Sequence, residues 1–185
     1  MVGAFVGLSY ALASTHPLRP PADRLKRALL AAANSSDAEP AIPPLPEAFA
    51  HFRSELGEEV FGVGLGIARS DTQARRAANL RNYDFFSAPV AVIVSMDRKL
   101  ASVDAMTVGM YLQTFLLALT ESGVASCVEV SVAGYPEVIR KELGIAENMD
   151  ILCGVAVGYE DDTMKVNHLR TMRSAVEETT VLLNA

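Results

Sequence analysis

Apolar residues recur along the chain at two spacings, and each spacing predicts one kind of element. Short apolar runs rich in β-branched residues predict three strands, at 89–95, 124–132 and 151–157. Helical spacing of apolar residues predicts five helices, at 23–33, 46–56, 71–79, 104–122 and 135–143. Strands that alternate with helices indicate an α/β or α+β sheet domain with helices on its faces.

The predicted helix at 104–122 differs from the others because its apolar residues cover most of its circumference. A helix of this kind lies at the centre of a protomer or in an interface between subunits. Gly123 follows it in the position where glycine commonly ends a helix. Both locations for this helix stay open at this point.

Prolines and an uncharged segment divide the first quarter of the chain. Residues 34–46 hold four prolines in thirteen positions, which predicts a linker. Residues 1–14 carry no charge and are too short to span a bilayer, which needs about 20 apolar residues. We therefore expect an atypical apolar segment at 1–19 and one domain at 20–185. The apolar segment is either a cleaved targeting signal or a strand or helix that packs on the domain.

Composition excludes some classes of function. The net charge of −6 argues against a nucleic-acid partner, which would require a basic surface. The two cysteines, Cys127 and Cys153, stand alone in apolar runs, so neither a disulfide framework nor a paired-cysteine site is encoded. We expect a reduced, cytoplasmic protein with no stable membrane span, and we expect Cys127 to be a packed thiol.

No side chain stands out as an acid, a base, a nucleophile or a metal ligand. The three histidines have no ligand spacing. The glycines of Gly62–Gly66 resemble part of a dinucleotide fingerprint, but Ile67 occupies the position of its last glycine and no strand precedes them. A loop or loose helix that uses small residues for close packing is the better interpretation. If the protein is an enzyme, its chemistry belongs to a cofactor.

Seven segments in one order resemble the C-terminal two-thirds of the nitroreductase family of FMN-dependent NAD(P)H oxidoreductases. The resemblance covers about residues 56–180. The segments are NYDFFSAP at 82–89, QTFLLA at 113–118, GVASC at 123–127, YPEVIR at 135–140, LGI at 143–145, GVAVGY at 154–159 and VNHLRTMR at 166–173.

The resemblance implies an α+β fold, an α-β-α sandwich with a mixed sheet, a long central helix and a dimeric assembly. It also implies that FMN lies in a groove at the dimer interface and takes a hydride from NAD(P)H. Nitroaromatic or quinone-like small molecules would then be the electron acceptors.

The same resemblance implies two groups of cofactor-binding residues. It implies no catalytic side chain and no metal ligand. A backbone N–H of one segment would face flavin N5, and its residues are Val128, Glu129, Val130 and Ser131. A carboxylate at Glu129 would disfavour an anionic reduced flavin, so we expect this side chain to point away from the ring or to be paired. Arg170 and Arg173 would bind the FMN phosphate, with Thr171 at the position usually held by a basic residue.

Some family features do not occur in this sequence. Family members begin with an arginine-rich helix that binds the phosphate, followed by a loop ending in Gln-Pro-Trp, and this sequence contains no Trp. Part of the expected FMN site is then missing. The alternative hypothesis is a cofactor-free scaffold that acts as a non-catalytic dimer or ligand binder.

Overall fold

The computed structural model describes residues 13–14, 21–35, 45–181 and 183. These residues divide into two compact units. The first unit takes its described residues from 1–44 and 76–160, and the second takes them from 45–75 and 161–185. Most of the predicted linker at 34–46, and all but Ala13–Ser14 of the apolar segment, lie outside the described residues.

Four strands form one sheet in the first unit. The order across the sheet is β1-β2-β4-β3, and all three pairings of the described strands are antiparallel. The strands are β1 (Ala13–Ser14), β2 (Val90–Asp97), β3 (Ala125–Glu129) and β4 (Met149–Gly158). The three apolar runs therefore form the three longer strands, whereas the mixed sheet implied by the resemblance is antiparallel in the part described.

Helices are distributed over both units, and shorter helical turns connect them. The α-helices are α1 (Pro21–Ser35), α2 (Ala50–Gly57), α3 (Thr72–Leu80), α4 (Ser102–Glu121), α5 (Pro136–Leu143) and α6 (Val176–Thr179). The 3-10 segments are Glu47–Phe49, Arg81–Ser87, Val130–Gly134 and Lys165–His168, and a π-helical segment spans Glu58–Gly64.

Capping residues and glycines mark the starts and ends of several helices where the sequence predicted them. Asp71 Oδ1 accepts a hydrogen bond of 2.9 Å from the Ala74 N–H, which caps the start of α3. Gly123 and Gly144 adopt positive φ angles of 68° and 67° just beyond α4 and α5, a conformation that glycine reaches without steric cost. The five predicted helices are thus confirmed to within a few residues at their ends.

Two apolar cores lie on opposite faces of the sheet. On one face α1 and α5 cover Phe85, Ile93 and Ala156, and Arg24 of α1 forms an ion pair with Glu142 of α5. On the other face α4 places Val108 against Val92, Val94 and Val155. The first unit is therefore an α-β-α sandwich, which confirms the predicted fold class.

The outer face of α4 is exposed, although it is apolar. Val103, Met106, Met110 and Leu117 are each 60–64% exposed and lie at spacings that place them on one side of the helix. Two locations were predicted for this helix, and the prediction that it lies at the centre of the protomer is therefore wrong. Length and composition would also allow α4 to cross a membrane, and it is the one described helix of which this is true.

In the second unit, Gly64 is the one glycine of the described 62–66 segment that serves close packing. A side chain at Gly64 would lie 2.9 Å from Leu169 Cδ1 and 3.1 Å from the backbone of Val166, so only glycine fits where the π-helical segment meets the later 3-10 turn. Arg75 stacks on the Phe61 ring, with 4.1 Å between the guanidinium carbon and the ring centroid. The loose helix expected here is confirmed.

Candidate functional site

The predicted flavin-facing segment begins on the edge strand β3. Val128 pairs with Val155 and Glu129 with Gly154 of β4, and β3 has no second neighbour among the described strands. An edge strand leaves half of its backbone N–H and C=O groups unpaired on its outer side. Val128, which is 38% exposed, marks this edge as accessible.

The strand ends three residues earlier than the sequence predicted. An apolar strand was predicted to continue to Val132, but β3 ends at Glu129 and a 3-10 turn takes over at Val130. That part of the prediction is wrong because apolar residues at 130–132 fit a buried turn as well as a strand. The Ser131 hydroxyl is buried there and has no hydrogen-bond partner in the part of the chain described.

Glu129 is directed into the molecule. Its cross-strand partner Gly154 lies on the sheet face where an added Cβ would meet Phe85 and Val132, so Glu129 lies on the face covered by α1 and α5. The residue is only 2% exposed, and neither carboxyl oxygen has a hydrogen-bond partner among the described residues. The side chain therefore points into the core of the first unit and has no hydrogen-bond partner among the described residues.

Burial raises the pKa of Glu129 to about 8, and Asp84 adds to the rise while Lys26 opposes it. The side chain is therefore mostly a neutral carboxylic acid at pH 7. The electrostatic objection to a carboxylate beside an anionic reduced flavin does not apply to a neutral carboxyl group.

Two charged residues near Glu129 were missed by sequence reasoning. Lys26 of α1 is only 6% exposed, and its Nζ donates a 2.8 Å hydrogen bond to the Ala88 carbonyl oxygen. Asp84 lies in the turn before β2 and accepts a hydrogen bond from Ser87 Oγ at 2.8 Å. Lys26 is about a hundred positions from Glu129 in the sequence, and no local pattern connects them.

The turn before β2 has an unusual backbone. Phe85, Phe86 and Ser87 have φ angles of 50°, 50° and 63°, which is the left-handed region that non-glycine residues rarely occupy. This conformation places the Phe85 ring in the core, where it is fully buried. The ring packs against Gly154, where an added Cβ would lie 2.8 Å from Phe85 Cε1.

The two predicted phosphate ligands lie in the second unit, in the chain that follows the 3-10 turn Lys165–His168. Arg170 Nη1 donates to the carbonyl oxygens of Asn167 and Leu169, and Arg173 Nη1 donates to Thr171 Oγ1 at 2.6 Å. Both arginines are exposed, and their Nε and Nη2 groups make no hydrogen bond within the described residues. A guanidinium group has five N–H donors, so each arginine retains donors for a phosphate.

Each of these two groups of residues, taken separately, has donors that suit one part of FMN. The outer edge of β3 offers backbone donors, and the two exposed guanidinium groups offer the bidentate geometry that suits phosphate. Within the part of the chain described, no group of three His, Cys, Asp or Glu side chains could hold a metal ion.

The two cysteines have different environments. Cys153 is buried in the core beneath α4, but Cys127 is exposed on β3, so the prediction that Cys127 is a packed thiol is wrong. Cys127 is exposed because it and its apolar sequence neighbours lie on an edge strand, where side chains are covered from one side only. Neither cysteine forms a disulfide.

Comparison with known protein families gives a single answer. Residues 17–159 match the nitroreductase family, and the chain belongs to that family. Among curated proteins, the chain is 37% identical over 129 residues to nitroreductase NfnB of Mycolicibacterium smegmatis, covering 69% of this chain and 54% of that protein. It is 32% identical over 141 residues to a 4-nitrobenzoate reductase of Nocardioides sp., covering 76% of this chain and 57% of that protein. The chain therefore spans little more than half the length of these curated relatives.

Solved structures agree with this assignment. The crystal structure of the FMN-dependent nitroreductase NfnB from Mycobacterium smegmatis in complex with NADPH has a TM-score of 0.86 at 29% identity, covering 96% of this chain and 79% of that one. The FMN- and NADPH-dependent NfnB from Sphigopyxis sp. strain HMH has a TM-score of 0.87 at 26% identity, with 96% and 80% covered. The α+β sandwich is thus the nitroreductase fold.

Proposed function

We propose that this protein is an FMN-dependent NAD(P)H oxidoreductase that reduces nitroaromatic or quinone-like small molecules. The observation that carries the proposal is the close structural likeness to NfnB, which is described as FMN-dependent and was crystallised with NADPH. The accessible edge of β3 and the exposed arginine pair supply the contacts that such a cofactor needs.

When bound, FMN would supply the redox chemistry by accepting a hydride from NAD(P)H and passing electrons to the acceptor. The task of the chain is to hold and orient the cofactor. Backbone donors at Val128–Ser131 would contact the ring, and contacts through the backbone do not require particular side chains. No side chain in this segment is assigned a proton-transfer role.

Arg170 and Arg173 would bind the FMN phosphate. Arginine suits this role because its planar guanidinium forms two parallel hydrogen bonds with phosphate oxygens. Thr171 fits the assignment because its hydroxyl holds Arg173 at 2.6 Å and thereby limits the positions that the guanidinium can adopt.

The active form would be a homodimer that buries the outer face of α4. Its row of exposed apolar residues, which includes Met106, Met110 and Leu117, is unusual for a surface in contact with water. A second copy of the same helix provides a matching apolar surface, since a two-fold interface is complementary to itself. The same face would be covered if α4 lay in a membrane, and the test of the dimer must separate the two.

A flavin titration tests the cofactor assignment. Adding FMN to the purified full chain should quench flavin fluorescence and raise the melting temperature, and NADPH should then support reduction of 4-nitrobenzoate. The double substitution Arg170→Ala and Arg173→Ala should weaken FMN binding by at least about tenfold, because two charge-assisted contacts are lost.

The matched control is Arg53→Ala, which removes an exposed arginine from α2 outside the proposed site and should leave FMN affinity unchanged. A chain that neither binds FMN nor gains stability from it would contradict the proposal. That result would favour the cofactor-free scaffold.

Light scattering of the chain in detergent-free buffer tests the dimer. The full chain should have twice the protomer mass, and Met106→Glu with Met110→Glu should give a monomer because charges cannot be buried in an apolar interface without a partner. Ala146→Glu, which places the same charge on an exposed loop, should remain dimeric. If the protein is found only in the detergent-extracted membrane fraction, that result would contradict the dimer and favour an α4 that lies in a membrane.

We also propose a cytoplasmic location. Both cysteines are free thiols, as is typical of proteins kept in a reducing compartment. Fractionation of expressing cells should place the protein with cytoplasmic markers.

A further inference from the structure

Among the described residues, Glu129 is the most deeply buried carboxyl group, and the proposed function assigns its side chain no role. It is 2% exposed, and both of its oxygens lack a hydrogen-bond partner among the described residues. A buried polar group without a partner is rare in folded proteins, and a buried charge without one is rarer still. The neutral form of the carboxyl is therefore the form that this site accommodates.

Charged and titratable groups face Glu129 from several elements. Lys26 approaches from α1 and Asp84 from the turn before β2. Cys127 shares its strand, and Cys153 comes from β4. Burial and Glu129 raise the pKa of the Cys153 thiol, and the pKa of Cys127 is raised in the same way because part of that side chain is covered although the residue is exposed. Lys26 is the one favourable partner among these groups, and the Ala88 carbonyl already holds its ammonium at 2.8 Å. It forms no ion pair with Glu129 among the described contacts.

The backbone that carries Glu129 is weakly anchored. β3 has five residues and pairs on one side only, with β4. Edge strands with few pairing partners open locally at a lower free-energy cost than central strands. An unfavourable charge at the last residue of β3 would therefore be relieved most easily by movement of this short strand end.

We propose that Glu129 is a protonation switch for the segment Val128–Ser131: its protonated carboxyl keeps the segment packed on β4, and loss of that proton releases it. On ionisation the carboxyl O–H bond breaks, the electron pair stays on the oxygen, and the proton passes to solvent. The inference deepens the proposed function, on which it rests, because the same segment is assigned to the flavin ring. Glu129 is thus a positioning residue and not a catalytic one.

Hydrogen exchange of the cofactor-free full chain tests the switch directly. Exchange of the amides at 127–131, corrected for the intrinsic effect of pH, is measured at about pH 6 and about pH 9.5, on either side of the Glu129 pKa of about 8. In the unmodified chain, protection should fall by up to about tenfold per pH unit between the ordinary carboxyl pKa of 4.5 and about 8, and it should level off above about 8. Glu129→Gln, which cannot ionise, should have protection that does not depend on pH.

Two further variants make the measurement specific. Glu147→Gln removes an exposed carboxyl and should behave as the unmodified chain does. Lys26→Met removes the group that lowers the Glu129 pKa, so the loss of protection should continue to a higher pH before it levels off. The switch is overturned if Glu129→Gln and the unmodified chain lose protection in parallel.

A flavin titration on the same samples separates this inference from the proposed function. FMN affinity of the unmodified chain should fall by at least about tenfold between the same two pH values, and that of Glu129→Gln should vary much less with pH. If no sample binds FMN even at about pH 6, the proposed function fails, and the exchange result still decides whether the switch exists. If FMN binds equally well at both pH values in both proteins, the switch does not act on the cofactor.

Discussion

The face of the sheet beneath α1 and α5 is closed by this chain itself, whereas the face beneath α4 ends in an apolar surface turned outward. The first face contains Leu25, Leu29 and Phe85, all fully buried, together with the buried ionisable residues Lys26 and Glu129. The second core contains no charged side chain among its described members, and α4 leaves Met106 and Leu117 exposed beyond it. One face therefore carries a buried ionisable pair, and the other carries the apolar surface that the proposed dimer would cover.

The largest expected difference between the faces comes from removing a leucine on each. Leu29→Ala in α1 should lower the free energy of unfolding by about 3 kcal/mol, because the side chain is fully buried and leaves a cavity. Leu117→Ala should cost less than about 0.5 kcal/mol in a dilute protomer, since the side chain is exposed there. Urea unfolding at several protein concentrations measures both.

Concentration dependence sharpens this contrast. If a second copy covers α4, the cost of Leu117→Ala should grow as the protein concentration rises, because the dimer is stabilised by mass action. The cost of Leu29→Ala should not change by a similar amount. Equal costs for the two variants in dilute protein would contradict the distinction between a closed and an open face.

Glycine-to-alanine substitutions should have opposite signs on the two faces. A Cβ at Gly154 would lie 2.8 Å from Phe85 Cε1 and 2.8 Å from Val132 Cγ2, and both of those side chains are fully buried. Gly154→Ala should therefore destabilise the protein by about 2 kcal/mol through overpacking. Gly109 in α4 has no neighbour within 4 Å of an added Cβ, so Gly109→Ala should stabilise the helix by up to about 1 kcal/mol.

Thermal unfolding in dilute solution measures both changes. A Gly154→Ala variant with unchanged stability would show that Phe85 and Val132 leave room for a methyl group. Loss of dimer in Gly109→Ala at higher concentration would place this glycine inside the subunit interface.

The pH dependence of stability separates the proton-sensitive face from the other. The pKa of Glu129 is raised from 4.5 to about 8 in the folded chain, so the native state binds this proton more tightly than the unfolded state does. Its contribution to stability is fully present below pH 4.5 and is lost as the pH rises through about 8. Relative to the unmodified chain, Glu129→Gln should therefore gain stability across this range.

Urea unfolding across that pH range tests the sign, with Glu147→Gln as the control that should follow the unmodified chain. The slope is the decisive quantity, because a buried amide also needs hydrogen bonds and can lower stability at every pH. Parallel profiles for the unmodified chain and Glu129→Gln would contradict the assignment of this titration to Glu129.

Features decided by local chemistry could be read from the sequence. Asp71, Gly123 and Gly144 mark helix ends because capping and positive φ depend on one or two residues. The family assignment followed from short segments in a fixed order, and the matching family confirms it.

Features decided by distant contacts could not be read in this way. Lys26 lies near Glu129 only after α1 packs on the sheet, and a carboxylate at position 129 gave no sign that it would be buried and neutral. Cys127 lies in an apolar run but on an edge strand, and sequence periodicity does not distinguish edge strands from central ones. The left-handed turn at Phe85–Ser87 contains no glycine, so it lacks the usual signal.

The smallest expected effect concerns that turn, which directs Phe85 into the closed face. Ser87 has a φ of 63° and donates a 2.8 Å hydrogen bond to Asp84. Ser87→Gly should relieve about 1 kcal/mol of backbone strain and lose about 0.5 kcal/mol of hydrogen bonding, for a net gain of about 0.5 kcal/mol. Ser87→Ala should lose the bond and keep the strain, so it should be less stable than the unmodified chain. The midpoints of urea unfolding, at an unchanged dependence on urea concentration, would distinguish the two variants. If both variants are destabilised equally, the hydrogen bond outweighs the backbone strain. In that case the turn is held by Asp84 and not by the burial of Phe85.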